Sequence, residues 1–243
     1  MVNKQGLSII MPVYNEEKNI KSEVTKIISN IKNYTDDFEI ILINDGSADK
    51  SADVVKNLAL QNPAIRIINR REHRGYGAAI RNGICIAEKE WLLIMDADGQ
   101  YEINDLKTFW QLKSFYDFII GYRKKRGDNL YRRSLGKLGN LIANLFLKTD
   151  IFIKDVDCGF KLFKTTGLKT TPTISNGVLI SFEILYKLLQ NKRSFTQLPV
   201  THYKRIAGES TGGKLNSIMQ IILESFKMVL DKKTNGNPAK FFL

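Results

Sequence analysis

The sequence predicts an α/β fold: a mostly parallel sheet with helices on both faces. Three observations carry that prediction. The strand-length stretches of the first half are continuous apolar runs, as in strands buried on both sides. Segments of helical periodicity separate them. A short polar loop follows each strand, and open parallel sheets bind their ligands in such loops.

The elements follow in order. Leu7 to Val13 is the first apolar run, and Glu16 to Ile31 then places Ile20, Val24, Ile27, Ile28 and Ile31 on one helical face. Phe38 to Ile43 reads as a strand, Ala52 to Leu60 as a helix, Ile65 to Ile68 as a strand, Tyr76 to Ala87 as a helix and Trp91 to Met95 as a strand. Asp105 to Phe115 and Phe118 to Ile120 add one helix and one strand, and the sheet-building half is expected to end near Gly121. A long helical pattern follows, with Tyr131, Leu135, Leu138, Ile142 and Leu145 on one face. Beyond it come a short segment at Phe160 to Phe163, a helix over Ser181 to Gln190 and a strand around Leu198 to Tyr203. A last amphipathic helix carries Leu215, Ile218, Ile222, Phe226 and Val229. No linker divides the chain, so one domain is expected over residues 1–231, with a tail over 232–243.

Charge divides the chain where periodicity does not. The formal net charge is +12. Residues 1–120 carry 15 basic and 17 acidic side chains and residues 121–243 carry 22 and 8, so the halves are net −2 and +14. A basic second half suits an anionic partner: a phosphorylated substrate, a lipid surface or nucleic acid. No nucleic-acid reading element accompanies the charge, so that partner is not expected. Cys85 and Cys158 are too far apart for a metal-type pair and form no disulfide framework. The start lacks a signal-peptide core, and no run reaches the roughly 18 to 20 apolar residues of a spanning helix. These features predict a cytoplasmic protein, soluble or peripheral on a membrane.

Four loops hold the polar residues that chemistry needs: Tyr14-Asn15-Glu16-Glu17, Asn44-Asp45-Gly46-Ser47, Arg70 to Gly75, and Asp96-Ala97-Asp98-Gly99-Gln100. In the last, two carboxylates of one short loop can reach the same hard divalent cation, Mg²⁺ or Mn²⁺, completed by phosphates and water. The bland alternative is a cap and a turn. Asp45 can accept from a ribose or a base, or cap the next helix together with Ser47 and Asp49. Gly75-Tyr76-Gly77-Ala78-Ala79-Ile80 is a poor dinucleotide fingerprint, since it follows the third strand and ends on Ile80. With two histidines, His73 and His202, the chain cannot build a histidine metal cluster. It carries no nucleophile elbow and no Walker loop.

Several segments together resemble the family 2 glycosyltransferases of the Rossmann-like GT-A fold, in the branch of dolichol-phosphate mannose synthases and polyprenyl-phosphate glycosyltransferases. These are Ser8 to Glu17, Ile43 to Ser47, Gly75 to Ala78, Asp96 to Gln100 and Asp157-Cys158-Gly159-Phe160-Lys161-Leu162-Phe163. The resemblance implies a nucleotide-sugar donor, GDP- or UDP-linked, whose base and ribose lie against Pro12, Tyr14, Glu16 and Asp45. It implies Asp96, Asp98 and Gln100 around the metal and diphosphate, Arg123 near the donor, and Arg205 at the phosphates. Asp98 and Arg205 would be catalytic, stabilising the departing nucleoside diphosphate in a single inverting displacement.

The implied acceptor is a polyprenyl phosphate, already anionic near neutral pH, with residues 121–231 as the acceptor-binding half and 1–120 as the donor half. The alternative acceptor is a saccharide hydroxyl in cell-surface polysaccharide synthesis, which needs a base, Asp155 or Asp157. Arg123 to Arg126, Arg132, Arg133 and Lys137 could hold a headgroup while the helix over residues 129–147 either meets a membrane surface or packs on the sheet.

Overall fold

The computed structural model describes residues 5–124, 130–147 and 149–205. The last amphipathic helix, the tail, and Lys125 and Arg126 of the basic run lie outside the described residues, as do the side chains of Arg132 and Arg133. Among those described, seven strands form one sheet. They are β1 (Leu7–Val13), β2 (Phe38–Asp45), β3 (Ile65–Arg70), β4 (Trp91–Met95), β5 (Phe118–Arg123), β6 (Phe160–Lys164) and β7 (Phe195–Val200), in the order β3-β2-β1-β4-β6-β5-β7. All pairs are parallel except those of β6, which runs antiparallel between β4 and β5.

Here the structure corrects the expectation that sheet building stops near Gly121. The segments 160–164 and 195–200 both enter the sheet, and β7 begins three residues before the strand expected around Leu198. Local periodicity could not reveal this, because an inserted antiparallel strand is specified by its neighbours: Leu92 opposite Phe163 and Ile119 opposite Leu162.

The helices are α1 (Ile20–Ile31), α2 (Ser51–Gln61), α3 (Tyr76–Ile86), α4 (Leu106–Leu112), α5 (Leu130–Leu147), α6 (Thr165–Lys169) and α7 (Ile180–Gln190). Short 3₁₀ turns at Ile103–Asp105 and Lys113–Phe115 flank α4, breaking the single helix expected over 105–115. Alternate residues of each strand feed opposite cores. Ile9 and Met11 of β1 pack with α1, α2 and α4, whereas Ile10 joins Ile41 and Ile94 against α3 and α7. That double burial is the reason the strands read as unbroken apolar runs.

α5 packs on a face other than the one its periodicity suggests. Ala143, Phe146 and Leu147 reach the second core, while Leu138, Leu141 and Leu145 stay more than half exposed. The sequence between α5 and β6 is laced to that helix by two asparagines. Asn140 Nδ2 and Asn144 Nδ2 donate to Ile153 O, and Val156 N and Ile153 N donate back to Asn140 and Asn144.

Candidate active site

The parallel strands end at one edge of the sheet, and the antiparallel β6 brings its start to the same edge, with Phe160 opposite Met95. Residues 157–159 therefore meet the loop after β4, and the ends of β1, β2, β5 and β7 surround them.

The loops after β1 and β2 are interlocked. Asn15, at φ 57°, donates its backbone N–H to Ser47 Oγ (3.0 Å) and accepts from Ala48 N on its side chain (2.8 Å). Glu16 N donates to Ser51 Oγ and Glu17 N to Asp49 Oδ2. The N-cap position of α2 falls on Lys50, which the expectation did not foresee; Asp49 Oδ1 accepts from Ser51 N just inside the helix, and the Ser47 hydroxyl is spent on Asn44. These bonds hold Glu16 nearly buried and facing inward.

At the end of β4, Asp96, Asp98 and Gln100 form the centre of the edge. Asp96 Oδ1 accepts from the Tyr76 hydroxyl (2.9 Å), and a Cβ at Gly159 would overlap its carboxylate, so any side chain there would displace it. Burial, reinforced by the Asp98 charge, pushes Asp96 up to about 6. Burial also raises Asp98, against the pull of Gln100 N and Arg205. Arg205 pairs with Glu16 and lies 3.8 Å from Asp98 Oδ2, so three residues 82 to 189 positions apart share one spot. Gln100 ties this loop to the segment after β7. Its Nε2 donates to Tyr203 O and its carbonyl accepts from Tyr203 N, both at 2.8 Å, which pins the segment carrying Arg205 over the loop.

Asp45 and Arg123 are brought to the edge but turned into the protein. Asp45, 2% exposed, accepts on its carboxylate from Arg70 Nη1 (2.7 Å), Arg74 N (3.1 Å) and Gly75 N (2.8 Å), and His73 Nδ1 lies 3.2 Å from its backbone carbonyl oxygen. Arg123 forms a two-pronged pair with buried Asp155 at 2.6 and 2.8 Å. Tyr14 stacks on His73 with ring centroids 4.2 Å apart, and Pro12 sits within β1 opposite Ile43. The glycines before α3 seat a loop and do not cradle an anion: Gly77 N and Ala78 N both donate to Asn176 O. A phosphate would find those amides taken.

Sequence reasoning missed Tyr76, Gly159 and Glu23. Glu23 is 4% exposed under Gly99, and its Oε1 has no hydrogen-bond partner. Burial, then Asp98 and Glu102 against Lys26, raises its carboxyl to about 7. The helical pattern itself held that signal, since Glu23 falls on the apolar face beside Val24 and Ile27.

The chain resembles known proteins along most of its length. The profile described as "Glycosyl transferase family 2" matches residues 8–189. A dolichyl-phosphate beta-glucosyltransferase of Trichomonas vaginalis is 30% identical over 175 residues, covering 67% of this chain and 54% of that protein. A dodecaprenyl-phosphate galacturonate synthase of Rhizobium johnstonii is 24% identical over 246 residues, covering 99% and 71%. The chain thus spans about half the length of the first of these. Among solved structures, mannosyl-3-phosphoglycerate synthase from Rubrobacter xylanophilus superposes with a TM-score of 0.71 at 14% identity, covering 98% of this chain and 78% of that one. Glucosyl-3-phosphoglycerate synthase from Mycobacterium tuberculosis, in complex with Mn²⁺, uridine diphosphate and phosphoglyceric acid, gives 0.68 at 15%, covering 96% and 80%. The structural likeness establishes the GT-A fold. With the strand-end carboxylates in place and the profile spanning six of the seven strands, the chain belongs to glycosyl transferase family 2.

Proposed function

We propose that this chain moves a sugar from a nucleoside-diphosphate sugar onto a polyprenyl phosphate, inverting the anomeric carbon, with Mg²⁺ or Mn²⁺ at the loop after β4. One observation carries the reading. Asp96 and Asp98 converge, desolvated, with Glu16 adding to the negative charge and Arg205 and buried Lys161 opposing it. Such a site is completed by a cation bearing a polyanionic ligand. Among the described residues no group of three His, Cys, Asp or Glu could enclose an ion. The donor set therefore fits an ion held by two carboxylates, with phosphate oxygens and water in its other positions. When bound, the ion offsets charge on the departing nucleoside diphosphate.

The chain's own residues supply the rest. Tyr14 offers a face for the base, and Arg205 gives a second positive charge to the leaving diphosphate. Tyr76 and Gly159 orient Asp96, and Gln100 keeps the Arg205 segment in place. Pro12 and Glu16 line the donor side. Asp45 and Arg123 contribute by holding their loops.

A phosphate monoester needs no general base, and that suits an edge where Asp155 is committed to Arg123. The names of the dolichyl-phosphate and dodecaprenyl-phosphate relatives support the same acceptor. The lipid tail would place the enzyme peripherally on the cytoplasmic face of a membrane. Leu138, Leu141 and Leu145 form an exposed stripe on α5, near exposed Ile151 and Phe152, as an interfacial helix requires. No helix among the described residues is long and apolar enough to cross a bilayer. Transfer to a saccharide hydroxyl is the second reading, favoured by Asp157, whose exposed carboxylate lies 3.9 Å from Arg123 and could serve as base.

The test is incubation with radiolabelled nucleotide sugars, Mn²⁺ and a short polyprenyl phosphate in anionic vesicles. The expected outcome is an organic-soluble labelled product, made equally well by Asp157→Asn. Label confined to water-soluble saccharides, and lost in Asp157→Asn, would replace this reading with the second.

A further inference from the structure

Asp96 is bounded by two neighbours. The Tyr76 hydroxyl donates to Oδ1, and the backbone of Gly159 lies so close that a Cβ there would overlap the carboxylate. With no side chain to anchor it, Gly159 depends on its backbone bonds for its place. Its N–H donates to Tyr101 Oη at 2.8 Å, in the buried interior. Tyr101 closes the loop that Asp96 opens, so its hydroxyl ties the end of that loop to the turn pressing on its start. The ring is 2% exposed and is fixed by contacts other than the hydroxyl. It meets His202 edge-on at 5.1 Å and Phe160 at 6.0 Å, and the Tyr101 backbone bridges to that of His202.

We propose that Tyr101 is a positioning residue for the metal-binding carboxylate: its phenol oxygen takes the Gly159 N–H, so that Asp96 is left for the cation. This inference rests on the metal-site reading above. A buried N–H must find an acceptor, and a carboxylate is a stronger one than a neutral oxygen. The Asp96 carboxylate lies against Gly159 and is the competitor. With the phenol oxygen in place, the turn before β6 packs on Asp96 without using one of its lone pairs. Without that oxygen, the turn relaxes by turning its N–H onto the carboxylate. Asp96 already accepts from Tyr76, and a second bond from within the protein would weaken its hold on an ion. Tyr101 acts through Gly159, from behind Asp96, and not by contact with the ion.

Titration of the full chain with Mn²⁺, followed by electron paramagnetic resonance in excess UDP and, separately, excess GDP, tests this on the wild type and on Tyr101→Phe. The variant keeps the ring and its contacts and loses only the oxygen. It should bind Mn²⁺ about fivefold more weakly, the effect of one hydrogen bond. Melting curves report the folded fraction at the assay temperature. Should Tyr101→Phe not fold, 3-fluorotyrosine at position 101 keeps the hydroxyl, weakens it as an acceptor and should shift Mn²⁺ affinity the same way by less. A folded Tyr101→Phe, or failing that a folded fluorotyrosine protein, that binds Mn²⁺ as the wild type does would overturn the inference. A lowered melting temperature alone would then make Tyr101 structural and leave the metal reading intact. A wild type that binds no Mn²⁺ with either diphosphate would remove the metal reading, and this inference with it.

Discussion

Two kinds of carboxylate stand at the same edge of the sheet. Asp45 at the end of β2 and Asp155 opposite the end of β5 are buried against arginines and backbone donors, so their charge is answered within the fold. Asp96 and Asp98 after β4 are desolvated, close to each other and raised toward neutrality, with Glu23 raised behind them. The same residue type thus serves structure in one place and keeps a site short of positive charge in another. Burial alone does not separate the two sets. What separates them is whether the fold supplies the donors that burial removes.

The largest expected effect is on the open set. Asp98→Ala should lower sugar transfer on the order of a thousandfold while the melting temperature holds or rises, because a strained carboxylate is removed. Near-normal turnover with label and Mn²⁺ would erase the distinction. On the closed side, Asp155→Ala strands the Arg123 guanidinium in the interior and should cost about 3 kcal/mol in urea unfolding, with activity per folded molecule largely kept. Unchanged stability with lost turnover would move Asp155 into the open set.

Glu23 sharpens the comparison through pH. Its folded carboxyl titrates near 7, above the 4.5 of the unfolded chain, so the folded state holds the extra proton. Stability from this group is full below about 4.5 and is lost as pH rises through 7; Asp96, raised to about 6, acts in the same direction. Glu23→Gln should therefore flatten the fall in melting temperature between pH 4.5 and 7.5. A variant as steep as the wild type would show Glu23 to be satisfied. The smallest effect belongs to Tyr76→Phe. Losing one hydrogen bond to Asp96, about 1 kcal/mol, should raise the Mn²⁺ concentration for half-maximal activity several-fold with little change in folding. An unchanged metal requirement would show that Asp96 needs no help from Tyr76.

Much of this was legible before the structure. The four strands of the first half, their helices and the loops holding Glu16, Asp45, Asp96 and Asp98 are all local patterns of period and punctuation. The second half was less readable, since β6 and β7 are short and are recruited by strands far away in sequence. α5 illustrates the limit: its periodicity offered Leu138 and Leu145 as the packing face, but Ala143, Phe146 and Leu147 pack. The protein partners of Arg123 and Asp45 were likewise beyond reach, because a charged residue at a strand end looks the same whatever it will meet in the fold.

By itself, then, the sequence determined the class of fold, the sheet edge at which chemistry would gather and the acidic loop at its centre. Those follow from interactions within a few residues, or from the uniform demand that apolar strands be buried. Only the tertiary structure decided which charges are free to act. Arg205 meets Glu16 across 189 positions, His73 closes over Asp45 and Gly159 lies against Asp96 because β6 inserts beside β4. The electrostatic state of a group depends on everything within a few ångströms of it, and chain folding, not sequence proximity, sets that neighbourhood.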